Sequence, residues 1–179
     1  MTNNIKDNQV DNWVEIYTDT TSDFESFAAA IILEEDEDFY LLADLTPRGK
    51  ADGFYLLDKD NVQTLKSGTA YIKKLKTLYQ LKQEEHLEYD GNKEDLLVGL
   101  LEFSKRKKLI VSIVVAESDV YGVQGFVEDI DENNNILTVT NIDSFGNEDG
   151  KSKLDLGDIS AIAAGDENGS DLKLLHDNK

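Results

Sequence analysis

LIVSIVVAES (109–118), GVQGFVEDID (122–131) and NNILTVTNID (134–143) are the stretches whose reading decides the fold. The first is an apolar run rich in β-branched residues, the pattern of a buried strand. The second and third are strands separated by Asp131-Glu132-Asn133-Asn134, a cluster of turn formers. SFGNEDG (144–150) predicts a further turn, with Gly146 and Gly150 supplying positive-φ positions. KSKLDL (151–156) and ISAIAA (159–164) complete five strands.

Upstream, the order recurs: WVEIYTD (13–19), SFAAAIILEE (26–35), FYLLADL (39–45), the turn TPRGKADG (46–53), FYLLDKD (54–60) and NVQTL (61–65). Val14-Glu15-Ile16 matches Val111-Ser112-Ile113 at an offset of 97, Ser22-Asp23 matches Ser118-Asp119 at 96, and Ala29-Ala30-Ile31 matches Gly125-Phe126-Val127. From the third strand on the offset is again 97: Leu45 meets Ile142, Gly49 meets Gly146, Asp52-Gly53 meets Asp149-Gly150, and Leu57-Asp58 meets Leu154-Asp155. Leu75 and Leu78 fall opposite Leu172 and Leu175. Matches in constant order, with gaps only in turns, read as an internal duplication. Five short antiparallel strands are best buried by a strongly bent sheet closing into a small barrel. The expected fold is therefore mainly β with a helical connector: two tandem five-stranded, Sm- or SH3-like small barrels. The first repeat spans 13–67, the helical connector 68–108 and the second repeat 109–175.

In the connector, Ile72, Leu75, Leu78 and Tyr79 keep helical spacing, with Lys73, Lys74, Lys76 and Lys82 mostly on the other face. After the break at Asp90-Gly91, Asn92 reads as an N-cap, with Glu94 and Asp95 in the first turn. Leu96, Leu97, Leu100, Leu101 and Phe103 form the apolar stripe of a second helix that Lys105-Arg106-Lys107-Lys108 ends. Bases at a helix C-terminus offset its dipole, which accounts for that run without a nucleic-acid partner.

A helix followed by five bent strands, with a glycine opening the second, resembles the Sm/LSm fold that includes the bacterial Hfq proteins. Gly125-x-Val127-x-x-x-Asp131-x-x-x-Asn135 is similar to the first motif of that family, and 93–106 stands where its N-terminal helix would. The resemblance implies small barrels, pairing of edge strands between neighbouring domains, and RNA binding. Asn135 is the one position onto which an RNA contact carries over. The family follows it with Arg-Gly-Asn in a second motif; this chain has Leu156-Gly157-Asp158 there. The first repeat has Lys59-Asp60-Asn61 but no matching Asn in its first motif. The whole chain also resembles uncharacterised acidic proteins of Gram-positive bacteria, which implies no activity.

Charge opposes the RNA reading. Of the net −19, residues 14–65 carry −10 and 109–179 carry −11, while 66–108 carry +3. Affinity for a polyanion comes mainly from Lys and Arg neutralising phosphates. With no Cys, disulfides, thiolate metal sites and a Cys nucleophile are excluded. The polar start MTNNIKDNQVDNW lacks the regions of a signal peptide, and no apolar run is long enough to span a bilayer. A cytoplasmic setting is expected.

Catalytic and metal motifs are tested and fail. His86 lies in the connector and His176 in an expected frayed tail, away from any Ser and Asp pair. Gly146-x-x-x-Gly150 lacks the Lys-Ser/Thr of a phosphate loop. Asp129-x-Asp131-x-Asn133 begins like a calcium loop, but Asn134 replaces its glycine and Thr140 its final glutamate. Asp166-x-Asn168-x-Ser170 fails likewise, with its glycine misplaced at Gly169. No catalytic, cofactor-binding or metal residue is assigned, and no cofactor is expected. The leading expectation is a non-enzymatic protein-interaction or scaffold protein, a monomer or small oligomer that binds a protein partner rather than nucleic acid or membrane. The alternatives are an RNA-binding Sm-like protein acting through the connector's bases and Asn135, and an acidic nucleic-acid mimic that inhibits a basic protein.

Overall fold

The computed structural model describes residues 11–19, 26–116 and 121–179. The chain forms β1 (Trp13–Asp19), β2 (Ser26–Glu35), β3 (Phe39–Leu45), β4 (Ala51–Asp58) and β5 (Thr64–Ser67), then α1 (Ala70–Lys82) and α2 (Leu96–Lys107). β6 (Ile110–Val115), β7 (Tyr121–Asp131), β8 (Ile136–Ile142), β9 (Glu148–Asp155), β10 (Ile159–Ala164) and α3 (Glu167–Asp177) follow. Single 3-10 turns, Lys59–Asn61 and Leu156–Asp158, follow β4 and β9, each capped by the preceding aspartate, Asp58 or Asp155.

All ten strands lie in one antiparallel sheet ordered β5-β1-β2-β3-β4-β10-β6-β7-β8-β9. Within each half the fifth strand sits beside the first. The halves join where β4 pairs with β10, in the register Leu57↔Ala161, Leu56↔Ile162, Tyr55↔Ala163 and Phe54↔Ala164. Large side chains on β4 meet an alanine-rich β10, so the two strands fill one layer without crowding. The mainly β class with a helical connector stands as expected. The sheet stays open, because β4 and β10 take each other as partners and leave β5 and β9 as its edges.

Strand periodicity places the core on both faces. Along β3 and β4, Leu41 and Leu56 enter the larger core beneath α2, where Leu96, Leu100, Leu101 and Phe103 meet Val111, Ile113, Val127, Leu137 and Val139. The alternate residues Leu42 and Leu57 join Val14, Ile16, Ala30 and Ala161 in a second cluster. Two smaller clusters seat the other helices. Ile72 and Leu75 of α1 pack on Trp13, Ala29 and Leu45, and Leu172 of α3 packs on Ile110 and Ile142. Trp13 and Ile110, Leu45 and Ile142, and Leu75 and Leu172 are pairs at an offset of 97. At Gly49 (φ +68°) and Gly146 (φ +76°) an added Cβ would stand 2.8 Å from the Cβ of Leu78 and of Leu175 respectively. At both positions a left-handed backbone and a tight helix contact require glycine.

Several local expectations are corrected. Ladder register sets Ala30-Ile31-Ile32, not Ala29-Ala30-Ile31, opposite Gly125-Phe126-Val127: Val14↔Ala30 corresponds to Val111↔Gly125, and Ile32↔Leu42 to Val127↔Val139. One residue of slip would reverse every side chain of the strand. The Ser22-Asp23 and Ser118-Asp119 match lies outside the described residues. The cap of α2 is Asp95, whose carboxylate accepts from Val98 N at 3.0 Å; Asn92 instead closes a turn onto Glu94 N at 2.9 Å. Residues 167–177 are helical rather than a frayed tail. Asp166 caps that helix at Gly169 N, and His176 is anchored to Gly146 O at 3.1 Å.

Candidate functional site at the seam between the halves

Short turns at the ends of β2, β4, β7 and β9 converge beside the seam. Asp36 organises the first. Its Oδ1 accepts from Asp38 N at 3.0 Å and Phe39 N at 2.7 Å, and its Oδ2 accepts from Leu96 N at 2.9 Å. One carboxylate thus closes the β2–β3 turn and binds the first N–H of α2, that of Leu96, where the helix dipole favours negative charge. Opposite, Asn135 ends the β7–β8 turn in the left-handed region (φ 58°). Its side-chain amide donates to Asp155, which also accepts from Gly157 N at 2.8 Å, and its carbonyl accepts from Leu156 N at 2.9 Å. Asn135 therefore ties the turn to the 3-10 turn beside it, and its amide is held by a carboxylate of this chain.

Between these turns lies a cleft of about 340 Å³. Phe39, Leu97, Val98, Leu156 and Ile159 supply its apolar lining, and Glu37, Asp38, Asp58, Asp60 and Asp95 its acids. The single base is Lys59, which is turned to Glu35 at 3.0 Å and to Asp36 O at 2.5 Å. The cleft brings Asn135 and Gly157 of one half together with Lys59 and Asp60 of the other. Their surroundings repel phosphate rather than bind it.

Most of the connector's bases meet partners within the chain. Lys76 pairs with Asp11 at 3.2 Å, Lys105 with Asp129 at 4.0 Å and Arg106 with Asp90 at 3.0 Å. Lys82 donates to Arg48 O at 2.5 Å, while Lys74 lies over Tyr71 and Lys107 over Phe103. A second cleft, about 290 Å³, lies between the ends of α2 and α3 and is lined by Lys105, Lys108, Lys173, His176 and Phe126. Cations at two helix C-termini are accounted for by the helix dipoles.

A third feature was invisible in the sequence: Asp44, Asp52 and Asp166 draw together near the seam's other end. Burial pushes the Asp44 carboxyl up to about 7, against the Leu45 N–H bond that lowers it, and the charges of Asp52 and Asp166 raise it further. Burial also raises Asp166. Asp52 accepts from Glu167 N at 2.8 Å and Asp166 caps α3, so two of the three are engaged in seating that helix. His86 lies beside them, half-buried, with Nε2 2.7 Å from Asp44 O and Nδ1 3.0 Å from the Tyr79 hydroxyl. It meets the main chain of Asp44 rather than its carboxylate, so no His–carboxylate pair for proton transfer forms. Burial lowers its pKa. Among the described residues, no group of three or more His, Asp or Glu is placed to hold a metal ion, and no helix is long and apolar enough to cross a membrane. Family models, curated proteins and solved structures were compared with the chain, and none matches.

Proposed function

We propose that the chain is a tandem duplicate of an Sm-like small barrel that acts as a non-enzymatic protein-interaction or scaffold protein, in the cytoplasm and as a monomer or small oligomer. The carrying observation is the cleft at the seam, where turns of both halves meet on an apolar floor ringed by carboxylates. The duplication reading is supported by the shared strand order of the halves, by helices seated on equivalent positions, and by glycines required at equivalent turns. The acids in the cleft and the Asn135–Asp155 bond argue against RNA as the ligand. Capture of partners by the tagged full chain, with and without nuclease, tests the proposal. A discrete protein retained after nuclease is expected, and partners that all vanish with nuclease would contradict it.

A further inference from the structure

We infer that the cleft at the seam docks a basic segment of the partner protein, an extended stretch in which Lys or Arg alternates with aliphatic side chains. The inference rests on the proposed interaction role and assigns its partner chemistry. Two kinds of lining decide the occupant. The floor is apolar: Leu97, only partly buried, is open to an aliphatic anchor, while Phe39 and Leu156 beneath it belong to the core. On the rim, the side chains of Glu37, Asp38 and Asp60 make no hydrogen bond or ion pair among the described residues, whereas Asp58 and Asp95 each cap a helix end. Carboxylates unengaged among the described residues, above a low-dielectric floor, concentrate a negative field that attracts cations and repels phosphate. Among the described residues no three of these acids are grouped to hold a metal ion, so a bare divalent cation is poorly served. A chain that spaces its positive charges along its length can reach several rim carboxylates while its aliphatic residues enter the floor. The cleft, at about 340 Å³, holds only a few side chains, so binding of modest strength that weakens with salt is expected.

The test is fluorescence anisotropy with the full chain and a short labelled peptide alternating Arg and Leu, against a Glu-Leu peptide of equal length. The expected result is binding of the Arg-Leu peptide alone. It should weaken about tenfold in the triple variant Glu37→Gln, Asp38→Asn, Asp60→Asn, as three exposed charge contacts allow. A control with the same change of net charge, Glu132→Gln, Asp149→Asn, Asp171→Asn, should weaken it less than about twofold. Hydrogen exchange on the unmodified chain gives an independent readout, with peptide-induced protection expected at 37–39, 58–61 and 95–98. No binding, equal weakening in both triple variants, or protection confined to other segments would overturn the docking site. If the docking site fails while the triple variant still captures a nuclease-resistant protein, only this inference falls and the scaffold proposal stands. Loss of every such partner from the unmodified chain would remove the proposal itself.

Discussion

Replacing Asp44 by Asn removes a carboxyl strongly perturbed by burial, and its effect on stability should depend on pH in a defined direction. Burial pushes this carboxyl from 3.8 to about 7 in the folded chain. Between those values the folded state holds a proton that the unfolded state has released. Stability therefore falls as pH rises through the window, and the full penalty is present above about 7. A displacement of about three pH units corresponds to a ceiling of about 4 kcal/mol. Because Asp44 is only partly buried and water relaxes around it, about 2 kcal/mol is the more realistic figure. Asn keeps an oxygen to accept from Leu45 N, a bond of 3.0 Å in the native chain, and carries no charge. The variant should match the native chain near pH 4 and exceed it by about 2 kcal/mol near pH 8. His86 titrates in the opposite sense, since its depressed pKa lowers stability as pH falls, but it is common to both proteins and cancels in their difference. Urea unfolding at several pH values measures this difference. A gap independent of pH, or one widening toward acid, would refute the reasoning.

Other perturbations test the fold. Gly49→Ala and Gly146→Ala each place a Cβ at positive φ within 2.8 Å of a helix leucine, so thermal melts should show losses of about 1–3 kcal/mol at either site. Thr69→Ala removes the hydroxyl that caps α1 at Ile72 N and donates to buried Glu15, and should cost about 1–2 kcal/mol in urea unfolding. The open edges give an assembly test. At the seam, Phe54, Tyr55 and Leu56 of β4 face Ala164, Ala163 and Ile162 of β10, whereas the equivalent edge residues are Lys151, Ser152 and Lys153 on β9 and Ser67, Lys66 and Leu65 on β5. Lysines on exposed edges oppose pairing. The native chain should scatter light as a monomer or small oligomer. Changing Lys151→Phe, Ser152→Tyr, Lys153→Leu, Lys66→Ala and Ser67→Ala together should drive head-to-tail association.

How far the sequence carried the fold depended on burial. FYLLADL in β3 is buried on both faces, and its continuous apolar run marks a central strand. β9, EDGKSKLD, has no apolar periodicity and reads as a strand only through its match with FYLLD. The same contrast foretells the seam: the apolar fourth strand and the alanine-rich fifth strand that meet there belong to different halves, and their polar counterparts are edges. That pairing joins residues about a hundred positions apart, so the contrast becomes readable only once the two halves are aligned. α3 was missed as a helix because ENGSDLKLLHD buries little beyond Gly169 and Leu172. Its correspondence with α1 through Leu172 and Leu175 was nevertheless readable in the spacing. Asn135 was singled out only as an RNA contact carried over from the resemblance, and its place at the end of the β7–β8 turn was not read. Its bond to Asp155, and the assembly of Glu37, Asp38 and Asp60 into one rim, depend on tertiary contacts that no linear motif records.

The central claim, that the chain recognises protein rather than RNA, is tested most directly by titrating it with a short labelled oligouridine across a range of salt. Even four phosphate contacts would give a slope of about −3 in log affinity against log salt, well within reach of the assay. The account predicts no measurable affinity at physiological salt, for the native chain and for Asn135→Ala alike. Binding that falls steeply with salt and is lost in Asn135→Ala would contradict it.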